Sequence, residues 1–238
     1  MRVRIRFEKT GIMRYVGHLD LMRFFQKAVK RSELPIRYSE GFNPHQIMSF
    51  ASPLGVGLTS VGEYMDIDLK QEVDAETALK TLNDNMVEGL NITSFKYLPD
   101  DAEKCMSAVT AASYIVTYKD SKDDACYIDN IIDLKKKFFD EASSINIVKK
   151  TKKGERELDL KPLIYKFNIS IEEGVPVYEL LLSSGSTDNI KPELLIKAFH
   201  EFLGLPQFDD LSLDIKRIDM FTGEPDSLIS LGDIGDEH

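Results

Sequence analysis

Side chains that can hydrogen-bond, stack or take up a proton are concentrated in residues 37–45, which read RYSEGFNPH. Gly41 permits a positive φ, and the proline after Asn43 favours a turn, so the polar side chains of this run can converge on one side. The alternative is an irregular hairpin whose polar groups bond their own backbone. The candidate substrate- or RNA-binding residues here are Tyr38, Ser39, Glu40, Gly41, Phe42 and Asn43, and His45 is a candidate acid or base.

A second histidine, His18, precedes Asp20 at the predicted start of a helix. The helix dipole favours a carboxylate there by about 0.3–1 kcal/mol, which is a structural reason for Asp20. If His18 and His45 approach each other, three chemistries become available: acid–base catalysis as in metal-free RNA cleavage, a His/His/Asp metal site, and recognition of phosphates or base edges. No spacing rule such as HExxH is met. We therefore name His18 and His45 as catalytic candidates, Asp20 as a binding candidate, and no metal ligands.

Four basic residues are expected on one face of the same helix, because their spacing is i, i+4, i+7 and i+8. They are Arg23, Lys27, Lys30 and Arg31, and Arg14 lies shortly before the helix. No acidic residue stands at those four positions, although the chain as a whole is acidic. We expect this face, with Arg14, to bind phosphates, and the alternative is a solvated helix surface.

Charge is distributed unevenly along the chain. The net charge is −10, which by itself argues against a nucleic-acid binder. The first 50 residues, however, hold ten Lys and Arg against four Asp and Glu, a net +6, so the remainder carries −16. Because salt screens fields beyond about 8–10 Å, a basic face on an acidic body can still bind a polyanion locally.

Composition and motifs limit the classes of function. With 42% hydrophobic residues the chain has a globular composition, and it contains no apolar run of the roughly 20 residues that a membrane helix needs. We expect a cytoplasmic protein with no membrane partner. Its two cysteines, Cys105 and Cys126, belong to no CxxC or CxxxCxxC cluster, so this chain offers no ligand set for an iron–sulfur cluster or a zinc finger. Walker A, GxSxG and GxGxxG motifs are absent as well.

The first half of the chain predicts a β-α-β-β-α-β order. Strict alternation predicts a half-buried strand at 2–7, and apolar residues at helical spacing predict a helix at 18–32. Extended structure follows at 36–38 and 46–50, and a strand at 63–69. A second helix is capped by Asp74 and ended by Gly89, and the last strand is 92–98. This is the split-βαβ or ferredoxin-like plan, a four-stranded antiparallel sheet with both helices on one face.

The order then repeats more loosely after a linker. We predict a strand at 112–118, a helix at 125–142, a strand at 145–149, a hairpin of 164–171 with 177–182, a helix at 192–203 and a strand at 211–219. The predicted fold class is α+β, with two tandem ferredoxin-like (βαββαβ) units and antiparallel sheets. The predicted domains are 1–99, 108–222 and an acidic tail at 223–238 that we expect to fray.

Several motifs together resemble the radical SAM-associated (radical SAM-linked) protein family, a bacterial domain of unknown function fused to, or encoded beside, a radical SAM protein. They are Arg-Phe-x-Lys-x-Gly (6–11), Gly-His-Leu-Asp-Leu-Met-Arg (17–23), Leu-Pro-Ile-Arg-Tyr-Ser-Glu-Gly-Phe-Asn-Pro-His (34–45), Ser-Phe-Ala-x-Pro-Leu (49–54), Glu-Tyr-x-Asp (63–66) and Arg-Glu-Leu-Asp-Leu-Lys-Pro (156–162). Where the family pattern has Lys after its motif histidine, this chain has Gln46, so no cation stands there.

The resemblance implies a radical SAM protein as partner, with the 4Fe-4S cluster and S-adenosylmethionine in that partner and no cofactor in this chain. We therefore expect a non-enzymatic accessory that binds RNA, such as tRNA or rRNA, or presents a substrate. Two tandem ferredoxin-like units with a histidine near the first helix are also similar to the RAMP-type CRISPR RNA-processing proteins. One alternative is therefore metal-independent RNA cleavage by His18 and His45, and another is a protein–protein scaffold with an acidic second domain as its docking surface.

Overall fold

Antiparallel strand pairs and short α-helices make up the chain, which confirms the α+β class. The computed structural model describes residues 1–120, 124–151, 154–185, 189–205 and 209–237. It divides into two units, one of Met1–Thr110 with Arg217–His238 and the other of Ala111–Lys216. In the described residues no helix combines the length and the apolar character that crossing a membrane requires.

The first unit contains an antiparallel sheet, and its two longer helices connect strands of that sheet. In chain order its elements are β1 (Arg2–Lys9), a 3-10 turn (Gly11–Tyr15), α1 (His18–Arg31), β2 (Met48–Phe50), β3 (Thr59–Asp68), α2 (Ala75–Asn83), β4 (Leu90–Tyr97) and α3 (Cys105–Ala108). β1 pairs antiparallel with both β3 and β4, and β2 pairs antiparallel with β3. Among these strands β1 therefore lies between β4 and β3, and β3 also pairs with the short β2. The tandem ferredoxin-like arrangement of the two halves stays a prediction.

The core of this unit follows the predicted periodicities. Val3, Ile5 and Phe7 of β1 are buried, as the alternation predicts. α1 begins at His18, as predicted, and buries Leu21, Phe25, Ala28 and Val29 along one apolar stripe. Its Phe25 ring lies 4.8 Å from that of Phe7. Burying one such side chain contributes about 1.5–3 kcal/mol, so the apolar stripe fixes which face of α1 remains for solvent.

Three features of this unit differ from the prediction. The second face of β1 is covered rather than solvated, because Arg4 is only 2% exposed. α3 lies within the predicted linker and the second predicted unit, and it contacts β2 and β3.

α2 starts after the predicted cap, Asp74, whose carboxylate accepts a hydrogen bond from the Thr77 N–H. The helix ends at Asn83, however, and not at Gly89 as predicted. Gly89 has φ +87° and a Cβ there would meet the Thr10 carbonyl oxygen at 2.5 Å, so the chain needs glycine for that close approach.

The second unit consists of an antiparallel sheet, a separate hairpin and short helices. Its elements are β5 (Ala111–Tyr118), a 3-10 turn (Asp124–Tyr127), α4 (Ile131–Lys135), a π turn (Lys136–Asp140), β6 (Asn146–Thr151), β7 (Gly154–Asp159), β8 (Ile164–Glu172), β9 (Val175–Ser183), α5 (Pro192–Phe202) and the start of β10 (Leu213–Thr222). β9 lies between β5 and β8, and β6 pairs only with β7 among the described strands.

The predicted helix at 125–142 is wrong as a continuous element. Asn130 adopts a left-handed conformation, with φ 61° and ψ 28°, and it separates the 3-10 turn from α4. The predicted hairpin is confirmed, with Glu173 and Gly174 both at positive φ in its two-residue turn. The predicted helix at 192–203 is confirmed as α5.

The acidic tail is packed rather than frayed. It forms β11 (Ile229–Ser230), which pairs with the end of β10, and it buries Leu231 completely. Asp236 also forms an isolated antiparallel bridge with Tyr97. Backbone pairing and one apolar anchor therefore hold the tail on the first unit despite its charge.

Candidate functional site

Residues 39–45, called here the 39–45 loop, form a turn that hydrogen bonds close at its base. Ser39 N–H donates to the His45 carbonyl oxygen at 2.8 Å, and His45 N–H donates to Ser39 Oγ at 3.1 Å. Ser39 Oγ also lies 2.8 Å from His45 Nδ1. Tyr38 and Gln46 continue this ladder as an antiparallel bridge. Ser39 and His45 thus bond each other across the base of the loop, as the irregular-hairpin alternative predicts.

The tip of the loop projects an aromatic ring into solvent. Phe42 is 106% exposed, so its side chain has no packing role in the fold. Gly41 precedes it with φ 112°, a conformation that favours glycine. Glu40 and Asn43 on either side are exposed as well. At the base of the loop, the Lys70 ammonium lies 5.9 Å from the centre of the Tyr38 ring, within cation–π range.

One hydrogen bond joins the base of this loop to α1. Gln46, which is 7% exposed, donates from Nε2 to the main-chain carbonyl oxygen of Gln26 at 3.1 Å. Gln26 stands three residues after Arg23 and four before Lys30, so both are its neighbours on the helix surface. The loop therefore lies beside the basic face of α1.

The basic face itself is exposed as predicted, but not all of it is free. Arg23 donates to Asp20 at 3.2 Å, so an acidic residue outside the four positions partly neutralises its charge. Lys27, Lys30 and Arg31 are exposed, and they make no ion pair with any residue that the structure describes. The helix dipole favours Lys30 and Arg31, which lie in the last turn of α1, but it gives no such reason for Lys27.

Arg14 links two loops of the first unit through its hydrogen bonds with Gly57. Its Nε donates to the Gly57 carbonyl oxygen at 2.8 Å, and its own carbonyl oxygen accepts from the Gly57 N–H at 2.8 Å. This pair of bonds attaches the loop before β3 to the 3-10 turn. The Nε of Arg14 is therefore engaged within the fold, and a role for Arg14 in binding phosphate stays a prediction.

His18 contacts the aromatic core rather than the loop. Its ring packs edge-on against Phe50, with centroids 5.3 Å apart, and Phe50 in turn contacts Phe7 and Phe25. Partial burial lowers the pKa of His18, so the neutral imidazole is favoured. His18 therefore behaves as a packing residue at the start of α1.

No hydrogen bond or ring contact joins His18 to His45 in the described part of the chain. The loop base meets α1 at Gln26, eight residues after His18, which is about 12 Å along a helix. From His45 to Phe50, the contact of His18, the chain runs five residues in extended form, or about 16 Å. The hypothesis of RNA cleavage by the two histidines stays a prediction, and this geometry supplies no contact in its support. Among the residues that the structure describes, no group of three His, Cys, Asp or Glu side chains could hold a metal ion.

Sequence reasoning missed two buried ionic clusters in the first unit. Arg4 donates from Nε and Nη2 to the Asp66 carboxylate at 2.9 and 3.2 Å, and the Cys105 N–H donates to the same carboxylate at 2.7 Å. Arg217 donates from Nη1 to both oxygens of Glu63, at 3.1 and 3.3 Å. The sequence pattern gave no signal for either cluster, because the register of β1 and β3 that sets Arg4 opposite Asp66 is known only from the structure.

These clusters account for several motif residues. Lys9, Glu63 and Asp66 all belong to the motifs quoted above, and all three are buried. Burial lowers the pKa of Lys9, and the nearby Glu63 carboxylate opposes that shift. The Lys9 ammonium lies 3.4 Å from the Arg14 carbonyl oxygen. Part of the motif pattern therefore builds the interior of the unit, and the exposed candidates are the cations of α1 and the 39–45 loop.

Comparison with known proteins places most of the chain in one family. No curated protein matches it. A solved structure titled "Crystal Structure of a Cbf5-Nop10-Gar1 Complex" is 11% identical with a TM-score of 0.45, covering 92% of this chain and 48% of that one. This chain therefore spans about half the length of that structure, and so distant a likeness carries no argument about function. Residues 2–192 match the family described as "Uncharacterized protein conserved in bacteria (DUF2344)". The protein therefore belongs to this bacterial family.

Proposed function

We propose that this protein binds RNA on the surface formed by Lys27, Lys30, Arg31, Tyr38 and Phe42, called here the α1–loop surface. The observation that carries the proposal is the hydrogen bond from Gln46 to Gln26, which holds the 39–45 loop beside the basic face of α1. Cations for the backbone and aromatic rings for the bases are the combination that proteins use to bind single-stranded nucleic acids.

The charge distribution supports a local site for a polyanion. Lys27, Lys30 and Arg31 are exposed and lack acidic partners in the described residues, so their charges remain available to phosphates. The chain after residue 50 carries a net −16 and would repel RNA. Binding is therefore confined to the basic face and falls steeply as salt is raised.

In this proposal the protein is an accessory and performs no reaction itself. The sequence resemblance to radical SAM-associated proteins supports a radical SAM protein as its partner. The 4Fe-4S cluster and S-adenosylmethionine would then belong to the partner, since this chain has no CxxxCxxC motif. The accessory would hold a tRNA or rRNA, or another substrate, for the partner in the cytoplasm.

Binding of a labelled 12-nucleotide single-stranded RNA at two salt concentrations tests the proposal. The test variant carries Lys27→Gln, Lys30→Gln and Arg31→Gln, which remove charge without placing carboxylates at a helix C-terminus. The matched control carries Lys80→Gln, Lys104→Gln and Lys216→Gln, three exposed lysines outside α1. We expect at least a tenfold weaker affinity for the test variant only. Equal affinities of the two variants would contradict RNA binding at α1.

A protein–protein scaffold is the second candidate function, and one observation favours it. Ile12, Tyr15, Leu19 and Val56 are exposed apolar side chains around the 3-10 turn and the start of α1. The bonds between Arg14 and Gly57 bring Val56 next to that turn. Co-purification with the radical SAM protein after ribonuclease treatment tests this role. Loss of the complex on Tyr15→Ser would support direct contact, and loss on ribonuclease treatment would assign the association to RNA.

A further inference from the structure

Packing within the fold does not explain why a phenylalanine stands at position 42, since its side chain is fully exposed. A phenylalanine transferred from water to an apolar contact gains about 1.5–3 kcal/mol, and here the whole side chain is left in water. Its neighbours in the loop, Glu40, Asn43 and His45, are polar and exposed. Protein–protein anchors, by contrast, are typically enclosed by other interface residues that exclude water.

The loop that carries this ring is closed before any ligand arrives. Ser39 and His45 bond each other three times across its base, and Gly41 supplies the left-handed backbone at its tip. A closed loop loses less conformational freedom when its tip is immobilised than an open one does. The closed loop therefore lowers the entropic cost of stacking the Phe42 ring on a ligand.

The surroundings of the loop contribute charge and polar groups. Lys27 and Lys30 lie on α1 beside the base of the loop, which Gln46 attaches to the helix. From Gln46 to Phe42 the chain covers four residues, or at most about 14 Å. A strand of a few nucleotides therefore spans from the cations to the ring.

We propose that Phe42 stacks on an unpaired base, so that the α1–loop surface takes single-stranded RNA in preference to a duplex. This inference rests on the proposed function. In a duplex both faces of each internal base are already stacked, and the base edges lie in the grooves, so a ring on a loop tip finds no free face. Glu40 and Asn43, on either side of Phe42, supply a carboxylate and an amide for the edge of the stacked base.

The test compares a 12-nucleotide single-stranded RNA with a blunt 12-base-pair RNA duplex, using the full chain. The variants are Phe42→Leu, which keeps an apolar side chain but removes the aromatic face, and Phe42→Tyr, which keeps that face. Phe202→Leu is the matched control, at an exposed aromatic residue of α5, outside the loop. A 2-aminopurine in the single strand reports stacking by quenching of its fluorescence.

We expect Phe42→Leu to bind the single strand about five- to a hundredfold more weakly and to leave duplex binding unchanged. Phe42→Tyr and Phe202→Leu should bind like the wild type, and quenching should disappear only with Phe42→Leu. Unchanged single-strand affinity and quenching in Phe42→Leu would overturn this inference. The proposed function would survive that result if neutralising Lys27, Lys30 and Arg31 still abolished binding, whereas no RNA binding by the wild type would overturn both.

Discussion

The side-chain amide of Gln46 reaches the main-chain carbonyl oxygen of Gln26 at 3.1 Å, and this contact sets the 39–45 loop against α1. The other polar atom of that side chain, Oε1, is buried and has no hydrogen-bond partner among the residues that the structure describes. The residue thus gains one hydrogen bond and loses the hydration of one acceptor, and these effects are of similar size. Its contribution is mainly to the position of the loop.

Replacing Gln46 by Met should therefore separate stability from binding. The thioether side chain has a similar length and removes both the hydrogen bond and the unpartnered oxygen, so we expect the free energy of unfolding in urea to change by less than about 1 kcal/mol. Affinity for single-stranded RNA should fall because the loop is no longer attached to α1. A loss of several kcal/mol of stability would show that Gln46 instead supports the core.

The buried pair of Arg4 and Asp66 should contribute far more to stability than the exposed pair of Arg23 and Asp20. Asp66→Asn leaves the Arg4 charge uncompensated where both side chains are nearly inaccessible, so we expect a loss of about 3–5 kcal/mol. Asp20→Asn should cost at most about 1 kcal/mol, because that pair is solvated. Urea unfolding of the two variants gives the comparison.

A double variant checks the physical reason. Arg4→Met combined with Asp66→Asn removes both charges and keeps an acceptor for the Cys105 N–H, so we expect it to recover much of the loss seen with Asp66→Asn alone. If the double variant is less stable than the single one, the cost does not come from an unpaired buried charge.

The two cysteines should differ in reactivity in the folded protein. Burial raises the pKa of Cys105 to about 12, and its Sγ lies 3.3 Å from the Ser49 carbonyl oxygen. Since the thiolate is the reactive form, we expect Cys105 to resist iodoacetamide at pH 7.5 until the protein is unfolded in urea. Peptide mass spectrometry assigns the label, and Cys126, which is partly exposed, reports what an accessible thiol does. Rapid native labelling of Cys105 would show that the interior beside β2 opens readily.

The pH dependence of stability should carry a contribution from His18. Partial burial lowers its pKa below the ordinary 6.5, so the unfolded chain binds the proton more tightly than the folded one. This contribution is fully present above about pH 6.5 and is lost as the pH falls through the folded pKa. His18→Gln should remove that part of the pH dependence between pH 7.5 and 5. Identical profiles of the variant and the wild type in urea unfolding would argue against burial of the ring on Phe50.

Local periodicity predicts α1, which carries the basic face, and it gives the correct first residue of this helix, His18. Leu21 and Phe25 recur on one face, and residues on the opposite face, such as Lys27, are left for solvent. The hairpin of β8 and β9 is predicted as well, because the strand pattern and the short connection between the two strands are both local in sequence. The contact of Gln46 with Gln26 is not, because no rule of spacing says which carbonyl a side chain will reach.

Burial of polar residues exceeds what a strand pattern can show. Alternation in β1 distinguishes two faces, but the cover over Arg4 includes the Glu103 carbonyl oxygen, about a hundred residues away in sequence. Leu231 similarly packs from an acidic segment that composition alone predicts to be loose. In each case a contact between residues distant in sequence decides whether the side chain is buried. Local sequence preferences carry no information about such contacts.

The most direct test of RNA binding at the α1–loop surface is the salt dependence of affinity for a 12-nucleotide single-stranded RNA. Each phosphate contact to a single strand contributes about 0.7 to the slope of log K against log salt. Neutralising Lys27, Lys30 and Arg31 together should therefore reduce the slope by about 2, while neutralising Lys80, Lys104 and Lys216 should leave it unchanged. The same slope in both variants and the wild type, or no binding at low salt, would contradict the account.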